Sequence, residues 1–190
     1  GSSGPFPINR RPDQSYHAGY TDAFVAQIAP TGTSLLYSGY IGGGGYDEGT
    51  AIAVDPCGSA YVAGTTYSME DTFPDGAGSD PLGVPGGTPG FDTTFNSRGE
   101  TNPWDAFVAK VASDGSDLAY ASFIGGAGPE HGLGIAVDAA GSAYVMGDTS
   151  SGATSFPDGD GFGAVPGYDQ TLAGVAYPTY GAAPDVFVLK

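Results

Sequence analysis

DAFVA at residues 22–26 returns at 105–109, IAVD at 52–55 returns at 135–138, and GSAYV at 58–62 returns at 141–145. All three motifs share an offset of 83 residues, and in the ungapped alignment of 22–74 with 105–157 that contains them, 28 of 53 positions are identical. A third copy opens at an offset of 80, where Asp185, Phe187 and Val188 repeat Asp105, Phe107 and Val108. Self-similarity at a fixed period of this length marks a repeat architecture. Copy 1 covers 22–104, copy 2 covers 105–184, and 185–190 begin copy 3. Residues 1–21 read as a loop or linker from a preceding repeat, and 1–190 as one repeat-built β domain.

Within a copy, apolar residues alternate with small or polar ones in short runs rich in Val, Ile, Tyr and Phe, the pattern of a half-buried strand. The runs are Thr50–Asp55, Ser59–Thr65, Asp105–Val111 and Leu118–Ile124. Asp55-Pro56-Cys57-Gly58 joins the first two, and 112–117, with Gly115 inside, joins the last two. A glycine that can adopt positive φ at such a place closes a tight hairpin. Gly and Pro punctuate the chain too often for a capped helix, so very little helix is expected.

Four short antiparallel strands per unit, repeated, with one long connection from Thr66 to Trp104, is what a propeller blade requires. Counted from the N-terminus, the runs supply a third and fourth strand (22–28 and 35–41), one complete blade, and then a first, second and third strand ending at Lys190. The expected fold is all-β: tandem four-stranded antiparallel blades, one complete and two partial. A closed propeller needs at least four blades. The end strands are therefore candidate assembly edges, through Asp22, Phe24, Ala26 and Ile28 at one end and Asp185, Phe187 and Leu189 at the other. Partners of this kind are further repeats of a longer chain or copies of the same one.

The ordered set DAFVAK, a Tyr or Phe followed by IGG, GIAVD, GSAYV-x-G and a later FP resembles the SBBP repeat, named for a seven-bladed β-propeller. The resemblance covers both full copies and the partial third. It implies a prokaryotic extracellular or cell-surface protein of many repeats and supplies no catalytic residues. The connection from Thr66 to Trp104 is longer than the usual repeat carries.

Glycine (34) and proline (15) are abundant, yet twelve tyrosines and ten phenylalanines provide surface to bury, which disordered chains lack. A formal charge of −16 repels nucleic-acid phosphates and anionic membranes, so neither nucleic-acid binding nor membrane insertion is expected. The single cysteine, Cys57, sits in a turn and forms no internal disulfide framework.

In a blade, the connection between strands two and three emerges on the same face as the connection to the next blade. That rule gathers Asp47, Glu48, Glu70, Asp71, Asp75, Asp80, Asp92, Glu100, Glu130, Asp158, Asp160 and Asp169 on an anionic long-loop face. Asp75 and Asp80 after Phe73-Pro74, and Asp158 and Asp160 after Phe156-Pro157, alternate carboxylates with glycine, as a calcium loop does, and as ordinary Asp-Gly turns also do. Calcium is the one cofactor these four residues suggest. His17 and His131 are the only imidazoles, and neither has metal-ligand or triad spacing. Trp104 stands where copy 1 has Thr21, placed to stack on a sugar or to pack against a blade. The reading is a non-catalytic extracellular structural or assembly protein, a blade-repeat segment of a surface array or fibre. The alternative is a calcium-dependent adhesin or glycan-binding module using the acidic loops, and the third is a propeller-type glycosidase or lyase.

Overall fold

The computed structural model describes residues 20–74, 88–97, 103–152, 155–156, 176–177, 181–182 and 184–190. Twelve strands and no helix are found among them: β1 (Ala23–Ile28), β2 (Leu35–Ile41), β3 (Asp47–Val54), β4 (Ala60–Thr66), β5 (Thr88–Pro89), β6 (Asp105–Val111), β7 (Leu118–Ile124), β8 (Glu130–Val137), β9 (Ala143–Thr149), β10 (Ala176–Tyr177), β11 (Gly181–Ala182) and β12 (Asp185–Leu189).

The strands form a first half-blade β1-β2, a central sheet β3-β4-β6-β7-β5, a third sheet β12-β9-β8 and the small pair β10-β11. The expected order within a blade is therefore observed. The central blade carries one addition, since the two-residue β5 pairs parallel with β7 through Thr88↔Tyr120 and Pro89↔Ala121. Gly58, Gly115 and Gly141 take φ of 89°, 68° and 85°, which is how the tight turns close.

Two hydrophobic cores lie between neighbouring blades. One joins Ala23, Val25, Tyr37 and Ile41 of the first half-blade to Val62, Phe107, Val111 and Phe123 of the central sheet. The other joins Ala63, Ala106, Val108 and Ile124, on the opposite face of the central sheet, to Val145 and Phe187 of the third. Sandwiched between them, β4 is buried at every residue.

The long connection after β4 is part of the first core. Phe73 packs its ring 5.4 Å from Phe107 and 4.9 Å from Phe123, and Phe95 sits 5.9 Å from Phe123. Phe156 repeats the arrangement against Phe187 at 5.0 Å. The FP motif is thus a plug that covers the third strand of its own blade.

The expected anionic long-loop face needs correction. Asp47 and Glu130 open strands β3 and β8 and are 1% and 0% exposed, and Asp92 is 5% exposed. Their carboxylates are taken up by hydrogen bonds inside the fold, so they add no charge to a solvent face.

Candidate functional site

The four candidate calcium ligands, Asp75, Asp80, Asp158 and Asp160, lie outside the described residues. Among the described residues, no group of three His, Cys, Asp or Glu is arranged to hold a metal ion. What the structure does bring together is three kinds of polar site, two of which recur one repeat later.

The first closes the blade entry. Asp47 accepts the Gly43 N–H at 2.9 Å, the Ser68 hydroxyl at 2.7 Å and the Thr66 hydroxyl. Ser68 Oγ in turn accepts the Gly45 N–H at 2.9 Å. One repeat later, Glu130 accepts the Gly126 N–H at 2.9 Å and the Thr149 hydroxyl at 2.6 Å, while Ser151 takes the Gly128 N–H at 2.8 Å. The glycine run is therefore a connection whose N–H groups bind a buried carboxylate, a way to satisfy backbone donors that would otherwise be orphaned. Burial raises the Glu130 carboxyl above its ordinary value, against the opposing hydrogen bonds.

The second site adjoins the first. Asp105 is fully buried and accepts the Asn96 N–H at 2.9 Å through Oδ2. Ser97 Oγ lies 2.5 Å from Asp105 Oδ1, 2.7 Å from the Gly128 carbonyl and 3.0 Å from the Trp104 carbonyl. One hydroxyl proton cannot serve three acceptors. A proton on Asp105 Oδ1, donated to Ser97 Oγ, relieves the conflict and frees the serine to donate to a carbonyl. Burial, helped by the nearby Glu130 and Asp92 charges, pushes Asp105 up to about 7.

The third site locks the tight turn. Asp55 accepts the N–H groups of Cys57 and Ser59, both at 2.9 Å, and the Tyr61 hydroxyl lies 3.2 Å from it. Lys110, brought by the third strand, reaches Asp55 at 3.5 Å and stands 4.7 Å from the Tyr61 ring centre. Asp138, Ser142, Tyr144 and Lys190 repeat this clamp in the third blade. Tyr61 also reaches across to the next blade, its hydroxyl 2.9 Å from the Gly141 carbonyl. Tyr61→Phe is expected to lower stability by about 1 kcal/mol in urea titrations, and Tyr144→Phe by less, because among the described residues that hydroxyl makes its bond to Asp138 at 3.3 Å and none to another blade.

At the opposite end of the sheets, Tyr20, Tyr46, Glu48, Tyr67 and His131 line a groove of about 590 Å³. An aromatic row runs through it: Tyr46 to Tyr67 at 6.1 Å, Tyr67 to Trp104 at 5.2 Å and Trp104 to His131 at 5.1 Å. Trp104 thus packs against a blade and joins this row. His131 Nδ1 lies 2.7 Å from Asp148 Oδ1. The pairing links two residues 17 apart in sequence that face each other across β8 and β9. Burial, with Tyr46 adding to it, raises the Tyr67 phenol.

The end strands divide into inner and outer faces. Phe24 and Ile28 of β1 are 60% and 62% exposed, and Val186 and Val188 of β12 are 73% and 71% exposed. Of the candidate assembly residues, Phe187 points into the core at 7% exposure, and its neighbours Val186 and Val188 take the outer face. Val186 and Val188 stand at the positions of Ala106 and Val108 in the preceding copy, which are buried.

Residues 36–69, from β2 to just beyond β4, match the SBBP β-propeller repeat family. No curated protein matches the chain.

Proposed function

We propose that the chain is a non-catalytic segment of an extracellular structural array in which blades stack head to tail. The observation that carries this reading is a residue-by-residue contrast between equivalent blades. Ala63, Ala106 and Val108 of the central blade are 0%, 0% and 4% exposed beneath the third blade. Their repeat equivalents Met146, Val186 and Val188 are 46%, 73% and 71% exposed.

The two internal interfaces have the same composition. Each presses the face containing Ala106 and Val108, or their equivalents Ala23 and Val25, against the face containing Phe107 or Phe187. One face of each kind carries exposed apolar residues: Phe24, Ala26 and Ile28 on the first half-blade, Met146, Val186 and Val188 on the third sheet. Such heterologous faces generate rings when the rotation closes and filaments when it does not.

Sedimentation of the purified chain is expected to show concentration-dependent association that the double substitution Val186→Lys, Val188→Lys removes without lowering the melting temperature. A parent chain that stays monomeric up to about 100 µM, well above the dissociation constants of stable interfaces, would overturn the reading.

A further inference from the structure

The groove at the entries of β3 and β8 has walls of one electrostatic character. Tyr46 and Tyr67 are 45% and 37% exposed and meet edge to face at 72°, so ring surface remains open to the groove. Glu48 is exposed beside them and, among the described residues, has no ion-pair or side-chain hydrogen-bond partner. The two described lysines are held elsewhere, Lys110 on Asp55 and Lys190 on Asp138. His131, on the far wall, is already committed to Asp148.

We propose that this groove binds a small organic cation, a methylated ammonium of the choline type, seated on the Tyr46 and Tyr67 rings with its charge answered by Glu48. Ring faces carry negative quadrupole potential and attract a cation whose weak hydration makes it inexpensive to strip of water. The carboxylate at the rim adds a direct charge partner, and the net charge of −16 concentrates cations near the surface. A hard divalent ion suits the groove poorly, since calcium wants six or more oxygen ligands and, among the described residues, the lining offers a single carboxylate. A saccharide would use the same rings and could donate hydroxyls to Glu48, but it brings no positive charge for the tyrosine ring faces to attract. The site is independent of the end faces and stands whether or not the blades assemble.

Trp104, the one tryptophan, lies against Tyr67 and His131 and supplies the signal. The full 190-residue chain is titrated with choline, with its uncharged isostere 3,3-dimethyl-1-butanol, and with a methyl glycoside, following Trp104 emission and heat. Saturable choline binding with a dissociation constant of the order of 1 mM is expected, with no saturation by the isostere or the glycoside. Glu48→Gln should weaken it about fivefold, and Tyr67→Leu about tenfold. The Glu48 side chain is exposed and makes no bond among the described residues, so its variant keeps the test decisive if Tyr67→Leu fails to fold. Equal binding of the isostere, saturation by the glycoside alone, or unchanged affinity in Glu48→Gln would overturn the proposal.

Discussion

Alanine at position 64 is expected to cost the protein at least about 3 kcal/mol, a large share of the few kcal/mol that hold a marginally stable fold. A methyl on Gly64 would stand 1.9 Å from the Glu48 carbonyl oxygen and 2.7 Å from Cε1 of Phe107. Neither neighbour is free to retreat. The Glu48 carbonyl belongs to the β3 backbone paired with β4, and the Phe107 ring is fully buried against Phe73. Accommodating the methyl requires β3 to part from β4, which also draws Asp47 away from Thr66 and Ser68. The repeat provides an internal comparison, because Gly147 is enclosed in the same way by the His131 carbonyl at 2.0 Å and the Phe187 ring at 2.7 Å. Gly147→Ala is expected to cost less, since the outer face of β9 has room to shift. Urea midpoints measure both, and an unchanged midpoint for Gly64→Ala would show that the ladder yields freely there.

Asp105 should make the fold more stable at pH 5 than at pH 8. Its folded value of about 7 lies above the ordinary 3.8, so the native state holds a proton that the unfolded chain gives up. The stabilisation is complete below about pH 4 and is lost as pH rises through about 7. At about 1.4 kcal/mol per pH unit, the displacement amounts to roughly 4 kcal/mol. Asp92 and Glu130 are raised by burial as well and slope in the same direction. Below pH 4 the trend reverses, because Asp55, against its desolvation, is held low by the turn N–H groups together with Tyr61 and Lys110, and Asp138 chiefly by the Ser142 N–H, and both lose their stabilisation when protonated. Asp105→Asn reproduces the protonated form, with its amide N–H facing a serine hydroxyl that can turn to accept. The variant is expected to melt higher than the parent at pH 8 and to show a much flatter profile between pH 5 and 8. A parent-like slope in this variant would place the titration elsewhere.

The bounds of β6 and β7 were legible to the residue, because each is a clean alternating run between turn residues. β3 begins three residues earlier than the pattern of Thr50–Asp55 suggests. Carboxylates are poor strand formers, and what permits Asp47 there is a pair of hydroxyls, on Thr66 and Ser68, 19 and 21 residues away. Phe73 and Phe95 were hidden for another reason: the connection that carries them has no period, so nothing in its pattern distinguishes a core plug from a surface loop. The His131 and Asp148 pair emerges only when β8 and β9 are placed in register. Their equivalents in the preceding copy, Glu48 and Thr65, occupy the same register and give no hint of an ion pair. The end strands themselves were legible as runs, and which of their residues face outward follows only from the blade that packs on Phe187.

The hydrogen bonds that join the central blade to the third run from the Thr50 hydroxyl to the Gly132 carbonyl at 2.6 Å and from the Tyr61 hydroxyl to the Gly141 carbonyl at 2.9 Å, across 82 and 80 residues of sequence. Loop closure over such a span costs more chain entropy than closing a four-residue turn, though the cost grows only logarithmically. Folding is therefore expected to proceed in two tempos, with hairpins such as β3-β4 and β6-β7 forming from local chain and blade docking following later as the slower event. Each further repeat would add one more docking step of the same span, so lengthening the array would raise its stability stepwise and leave the early hairpin events unchanged.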